Sequence, residues 1–291
     1  MNKIDISCLT EYMLKIEETQ NQLISDNKDG IIIYRGHADK GYKFEPSLFR
    51  NGNEEICNHE AELLKQIETY RPHDFSNQTT FEKLVKMQHY GFATRLLDVT
   101  SNMLIALYFA AQASKKKENG ERCAGKMFIC KVPQEFVKSF DDNTVVCLAN
   151  LAKLSDNEKK QLAHALTRNN ASMEACDEGI VKRFEKLIRE EHPNFQLPSN
   201  LDLYTPVFVH AKQDNPRISA QSGAFIVFGL KNEKSDWTRT NIATLEIQKT
   251  TKKKLREALS AIKINRGTLF PELNVFLTYA LKQAKNGEFD F

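Results

Sequence analysis

Gln88-His-Tyr-Gly-Phe-Ala-Thr-Arg-Leu-Leu-Asp-Val-Thr-Ser101 sets Gln88, His89, Thr94, Arg95, Asp98, Thr100 and Ser101 between two strongly apolar segments. Ahead of it, Tyr34-Arg35-Gly36-His37 follows directly on the apolar run Ile31 to Ile33. Each stretch concentrates polar groups where a core is closing, and a polar group held there without a partner costs roughly 1 to 3 kcal/mol. Such density points to a site. The flanking pattern gives its frame. Ile31 to Tyr34 is β-branched and bounded by Gly30 and Gly36, as suits a strand buried on both faces. Thr79 or Thr80 caps a helix that carries Phe81, Leu84, Val85 and Gln88 and stops at Gly91. Thr100, Ser101 or Asn102 caps a second helix, Met103 to Ala113, which is apolar on every side and therefore buried, its N-terminus aimed at the polar cluster. The free amides and dipole of that end favour an anion, either a phosphate or the Asp98 carboxylate.

The rest of the chain is ordinary globular material. With 291 residues, 41% hydrophobic and 27% charged, it can bury a sizeable core. Its six cysteines show no Cys-x-x-Cys spacing, so they read as free thiols rather than a zinc site. No apolar run is long enough to span a bilayer and Met1 to Asp5 lacks a signal-peptide layout, so the expectation is a cytoplasmic protein with no membrane partner. The net charge of +3 excludes little, although Lys115 to Lys117 and Lys252 to Lys254 form local basic clusters. Four stretches are expected: an N-terminal helix (1–30), a core with the site (31–132), a helical insertion (133–200), and returning strands with C-terminal helices that complete the same domain (201–291). Strands are expected at 126–132, 201–210, 224–229 and 241–248, and helices at 4–24, about 54–70 and between 251 and 285.

Tyr34-Arg35-Gly36, Pro46 to Arg50, Gln88 to Gly91, Thr94 to Asp98 and Ala106 to Ala110 resemble the FRG domain, named for its Phe/Tyr-Arg-Gly motif. The likeness resumes at Arg217, Gln221, Gly223, Phe225 and Thr268 to Leu273. It implies a bacterial protein in the company of toxin, toxin–antitoxin and phage-defence genes. A fainter resemblance, in the order of motifs, is to ADP-ribosyltransferases. This one implies an α+β fold with a split antiparallel sheet surrounded by helices, and NAD as the substrate. A first-strand arginine would contact NAD (Arg35), a Ser/Thr strand would brace the pocket (Thr100 and Ser101), and a later polar residue would orient the ribose (Gln221). This chain departs from that pattern in having an amide, Gln221, where a glutamate is expected, with no carboxylate between Pro216 and Leu230. Asp98, Glu246 and Glu272 are the substitutes on offer, Asp98 being the nearest to the helix start.

The leading expectation is an NAD-dependent ADP-ribosyltransferase-like toxin or defence effector. Arg35, His89, Asp98 and Gln221 are its catalytic residues. Tyr34, Arg35, Gly36, Gln88, Arg95, Thr100 and Ser101 hold the dinucleotide. The acceptor is a macromolecule, with RNA or DNA ahead of protein, and a neutralising antitoxin protein is a further expected partner. Two alternatives stay open. One is a non-catalytic nucleotide-sensing or protein-interaction module, and the other a metal-independent nuclease or hydrolase with His89 and Asp98 as acid and base. Arg35 also reads as the buried ion-pair partner of Asp98, and Gln88 and His89 as polar groups at a helix end.

Overall fold

The computed structural model describes residues 7–24, 29–114, 117–118, 121–167, 175–198, 201–212, 215–231 and 237–285. The strands of its main sheet are β1 (Ile31–His37), β2 (Leu96–Thr100), β3 (Gly125–Val132), β4 (Val137–Lys138), β5 (Val207–Val209), β6 (Gly223–Val227) and β7 (Ile242–Ile247). They join in one seven-stranded sheet of order β4-β5-β6-β2-β1-β3-β7. Every pairing is antiparallel except β4 with β5. The fold is α+β. Where the transferase resemblance implies a split sheet, the strands form one continuous hydrogen-bonded order.

Side chains alternate across a strand, so register assigns faces. Tyr34 stands opposite Thr100, Asp98 opposite Phe225 and Leu96 opposite Val227, which puts these residues on one face. Two helical groups cover it. Over β2, β5 and β6 lie α2 (Glu60–Tyr70), α3 (Thr80–His89), α5 (Asn143–Asn150), α6 (Asp156–Thr167) and α7 (Ala175–Arg189), packed around Leu84, Leu148, Phe184 and Phe225. The segment expected as a helical insertion thus supplies apolar faces to the same core. Over β1, β3 and β7 lie α1 (Ser7–Ile24), α4 (Met103–Ala110) and α9 (Lys252–Ala261), packed around Ile16, Leu107, Ile129 and Leu259. The opposite face closes on Ile33, Val99, Phe208, Ile226 and Trp237, with Phe44 of the irregular arm after β1.

Local chemistry explains the boundaries. Thr79 caps α3 in a reciprocal box with Glu82, and Gly91 follows it with φ +87°. The cap of α4 is Asn102, whose Oδ1 accepts from Leu104 N at 2.9 Å. Thr100 and Ser101 therefore precede the cap rather than form it. The expected 54–70 helix is broken at His59 into Glu54–Asn58 and α2. What reads as a short extended piece before α4 is β2, an interior strand of the sheet. Among the expected basic clusters, Lys252 is buried and donates to the carbonyls of Ala38 and Gln112 at 2.6 and 3.1 Å, so it is not offered to phosphates. Lys115 and Lys116 lie outside the described residues. No described helix is long and apolar enough to cross a membrane.

Candidate active site

β1 and β2 pair at a single register position, Tyr34 opposite Thr100, and beyond it they part. The opening leads into a cavity of about 200 Å³ floored by Tyr34, Gly36, Asp98, Thr100 and Phe225. Its walls are Gln88 and His89 of α3, Phe109 of α4, and the segment around α8 (Pro216–Ala220). A second hollow of about 580 Å³ adjoins it, with Val85, His89, Asn215, Arg217, Ile218 and Phe225 common to both. Together the two fall in the size range of small-molecule sites, roughly 300–1,000 Å³.

Arg35 fills the seam where the strands part. Its Nη1 donates to the Asp98 carbonyl and lies 3.8 Å from Asp98 Oδ2, and its Nε donates to His37 Nε2 at 2.7 Å. Arg35 is thus held in the way a ladder hydrogen bond would be, while the Asp98 carboxylate is 62% exposed and shares the cavity wall. Burial lowers the Arg35 guanidinium to about 10, so at neutral pH it remains a cation. His37 is pushed down to about 2, by burial first and then by the charges of Arg35 and Arg50. A neutral ring is what lets Nε2 accept from Arg35.

That depression has a measurable consequence. Below pH 6.5 the unfolded chain protonates His37 and the folded chain does not, so the stabilisation present above pH 6.5 is lost as pH falls toward 2. Urea midpoints taken from pH 7.5 down to pH 5 should decline, and His37→Asn should remove up to one proton's worth of the slope, about 1.4 kcal/mol per pH unit. Equal slopes for the two proteins would mean that His37 titrates alike in both states.

The other polar groups are tied in by the fold. Thr94 Oγ1 donates to Gln88 Oε1. Thr100 Oγ1 donates to the Gln221 carbonyl at 2.8 Å, joining β2 to the turn before β6. Gln221 Nε2 donates to the Leu269 carbonyl at 3.0 Å. Phe270 is flanked by Arg217 and Arg266, whose guanidinium carbons lie 4.8 and 5.8 Å from the ring centre, and by Phe109 at 6.1 Å. Gln221 and Phe270 therefore clamp the Leu269 to Glu272 segment against the cavity. Glu272 Oε1 sits 3.7 Å from His89 Nε2 and 3.6 Å from Arg217 Nη1.

Of the expected site residues, the structure brings Tyr34, Arg35, Gly36, Gln88, His89, Asp98, Thr100 and Gln221 to one cavity. Two do not join them. Arg95 is 1% exposed and turns the other way, with Nε and Nη2 on the Glu60 carboxylate and Nη1 on the carbonyls of Phe228 and Gly229. Lys159 donates to the same carboxylate at 2.8 Å. Arg95 is an ion-pair anchor between β2 and the helices, not a ligand for phosphate. Ser101 is exposed and its backbone N–H donates to Ser222, outside the cavity. Glu246, a substitute carboxylate in the sequence reading, pairs with Lys40 at 3.7 Å on strand β7 at the sheet edge. Residues to which the sequence assigned no site role are Asn215 on the wall, Phe225 on the floor and His37 behind Arg35. The signal for His37 was its place two residues after Arg35 on one strand face.

The FRG domain model matches residues 30–119, which hold β1, β2, α3 and α4, so the chain carries an FRG domain over that span. The matched span supplies the floor except for Phe225, together with the walls from α3 and α4, whereas Arg217, Gln221, Phe225 and Glu272 lie beyond it. Searches of curated proteins and of solved structures gave no match.

Proposed function

We propose that the cavity binds NAD and that the chain is an ADP-ribosyltransferase-like enzyme. The observation that carries this reading is the meeting of three segments far apart in sequence, Arg35 on β1, Asp98 to Thr100 on β2 and Gln221 before β6, around one hollow beside the Arg217 cation. Two guanidinium groups suit a diphosphate, because each can offer paired N–H donors to its oxygens. Phe109 gives an aromatic wall for a flat ring. When the bond from ribose C1′ to the nicotinamide nitrogen breaks, its electron pair leaves with nicotinamide and positive charge grows on the ribose. The Asp98 carboxylate is the anion in the inner cavity suited to stabilising that charge. Gln221 is a positioning residue on this reading, since its amide holds Leu269. The transferred group goes to a macromolecular acceptor, RNA or DNA ahead of protein, in the setting of a toxin or defence effector with a neutralising partner.

Nicotinamide release followed by mass is the test. Arg35→Lys keeps a cation but loses the planar fork, and should slow release by about 100- to 1,000-fold, the range for removing one preorganised donor. Thermal unfolding should stay cooperative. Unimpaired turnover in Arg35→Lys would remove Arg35 from the site. A non-catalytic nucleotide-binding module is the second reading, favoured by Gln221 standing where a carboxylate is expected. NAD binding by the wild type without any nicotinamide release would select it.

A further inference from the structure

We propose that Glu272 is the general base that deprotonates the acceptor, and that the larger hollow it lines is the acceptor's site. The inference rests on the NAD reading above and adds a residue and a substrate position to it.

Glu272 Oε2 is buried and has no hydrogen-bond donor among the described residues. Its partner oxygen faces His89 and Arg217 at 3.7 and 3.6 Å, both beyond direct hydrogen-bond contact. A carboxylate is an acceptor with room for several donors, and leaving it unsatisfied inside a protein is costly. Here His89 and the Arg217 guanidinium stand close to the carboxylate without occupying its lone pairs. The carboxylate is also rigidly presented. Pro271 precedes it, Phe270 is gripped by Arg217, Arg266 and Phe109, and Leu269 is bonded to Gln221. A structural ion pair needs none of this apparatus.

Position adds the second argument. Asp98 lines the inner cavity and Glu272 the larger hollow, and His89 and Arg217 line both. One carboxylate therefore faces the ribose and the other faces whatever approaches it, entering past Tyr90, which is 77% exposed at the rim. The acceptor's class follows from the base. It is a neutral nucleophile with an O–H or N–H proton to lose. In the transfer, the nucleophile's lone pair forms the new bond to ribose C1′, the bond to nicotinamide breaks with its electrons on the nicotinamide nitrogen, and the acceptor's proton passes to Glu272.

Methanol and azide as probe acceptors test this. Methanol must give up a proton to form a stable adduct, whereas azide is already an anion and needs no base. Glu272→Ala and Glu272→Gln should bind NAD as the wild type does by calorimetry and lose about a hundredfold or more in the rate of methyl adduct and hydrolysis product. With azide, both variants should return toward the wild-type rate and yield the azido adduct by mass. A purely structural role would not distinguish the two nucleophiles. Methanol transfer at the wild-type rate by Glu272→Gln, or a loss that azide does not restore, would overturn the assignment of Glu272 while leaving the NAD reading standing. Failure of the wild type to bind NAD would overturn both.

Discussion

Glu60→Gln is expected to destabilise the protein by about 3–5 kcal/mol, the cost of breaking a buried ion pair from one side. The carboxylate of Glu60 lies between Arg95 and Lys159, each 8% exposed or less along its side chain, and it is their shared counter-charge. Burial alone would raise the Glu60 carboxyl, but the two cations reverse that and hold it below its usual range. An amide of the same shape keeps one acceptor and brings an N–H₂ against the cations. Urea unfolding followed by circular dichroism measures the loss, and a change under about 1 kcal/mol, the size of an exposed pair, would show that solvent compensates these charges. Because the triad lies away from the cavity, whatever activity remains should follow the folded fraction.

Gly36→Ala should be at least as damaging, for a geometric reason. A Cβ there would lie 1.8 Å from the Ala106 carbonyl oxygen and 2.7 Å from the Ala110 nitrogen, both backbone atoms of α4. Backbone cannot swing aside as a flexible side chain does. Gly125, the first residue of β3, meets the same helix, with its Cβ position 2.1 Å from the Ala110 oxygen. The small residues Ala106 and Ala110 and the two glycines let α4 lie directly on the sheet. Overpacking a core costs about 1–3 kcal/mol when it can relax, and this site resists relaxing, so a loss of about 3 kcal/mol or more is expected in the same unfolding assay. A soluble variant with an unchanged midpoint would show that α4 can lift off β1 freely.

The close approach of α4 at Gly36 bears on how the motif around Arg35 is to be read. Its three residues serve different ends: Tyr34 packs in the core and accepts from Gln20, Arg35 spans the seam, and Gly36 admits a helix. Sequence alone marked the triplet as a unit and took all three for ligand contacts. Much else was legible. The unbroken apolar run of α4, the capping signal at Thr79 and the β-branched run of β1 each fix their element by short-range chemistry, which needs no knowledge of the rest of the chain. Arg95 was not legible, because its partner Glu60 stands in a helix that reads as an ordinary amphipathic surface element. Nor was the division of labour at Gln221, since the carbonyl it holds belongs to Leu269, and nothing in either segment announces the other. Long-range pairings of polar groups leave no periodic trace, so a sequence shows that a polar residue needs a partner without naming it.

The single pairing of β1 with β2 gives the sheet a weak line. On one side stand β2, β6, β5 and β4, and on the other β1, β3 and β7. The cavity draws its walls from both sides: Asp98, Thr100 and Phe225 from the first, Tyr34, Arg35 and Gly36 from the second. A molecule seated there is therefore a rivet across a joint that the backbone itself closes only once. Its binding free energy is felt as cohesion of the two halves, so occupancy and folding are thermodynamically one equilibrium. On the NAD reading, the chain should therefore melt at a higher temperature with NAD present than without it.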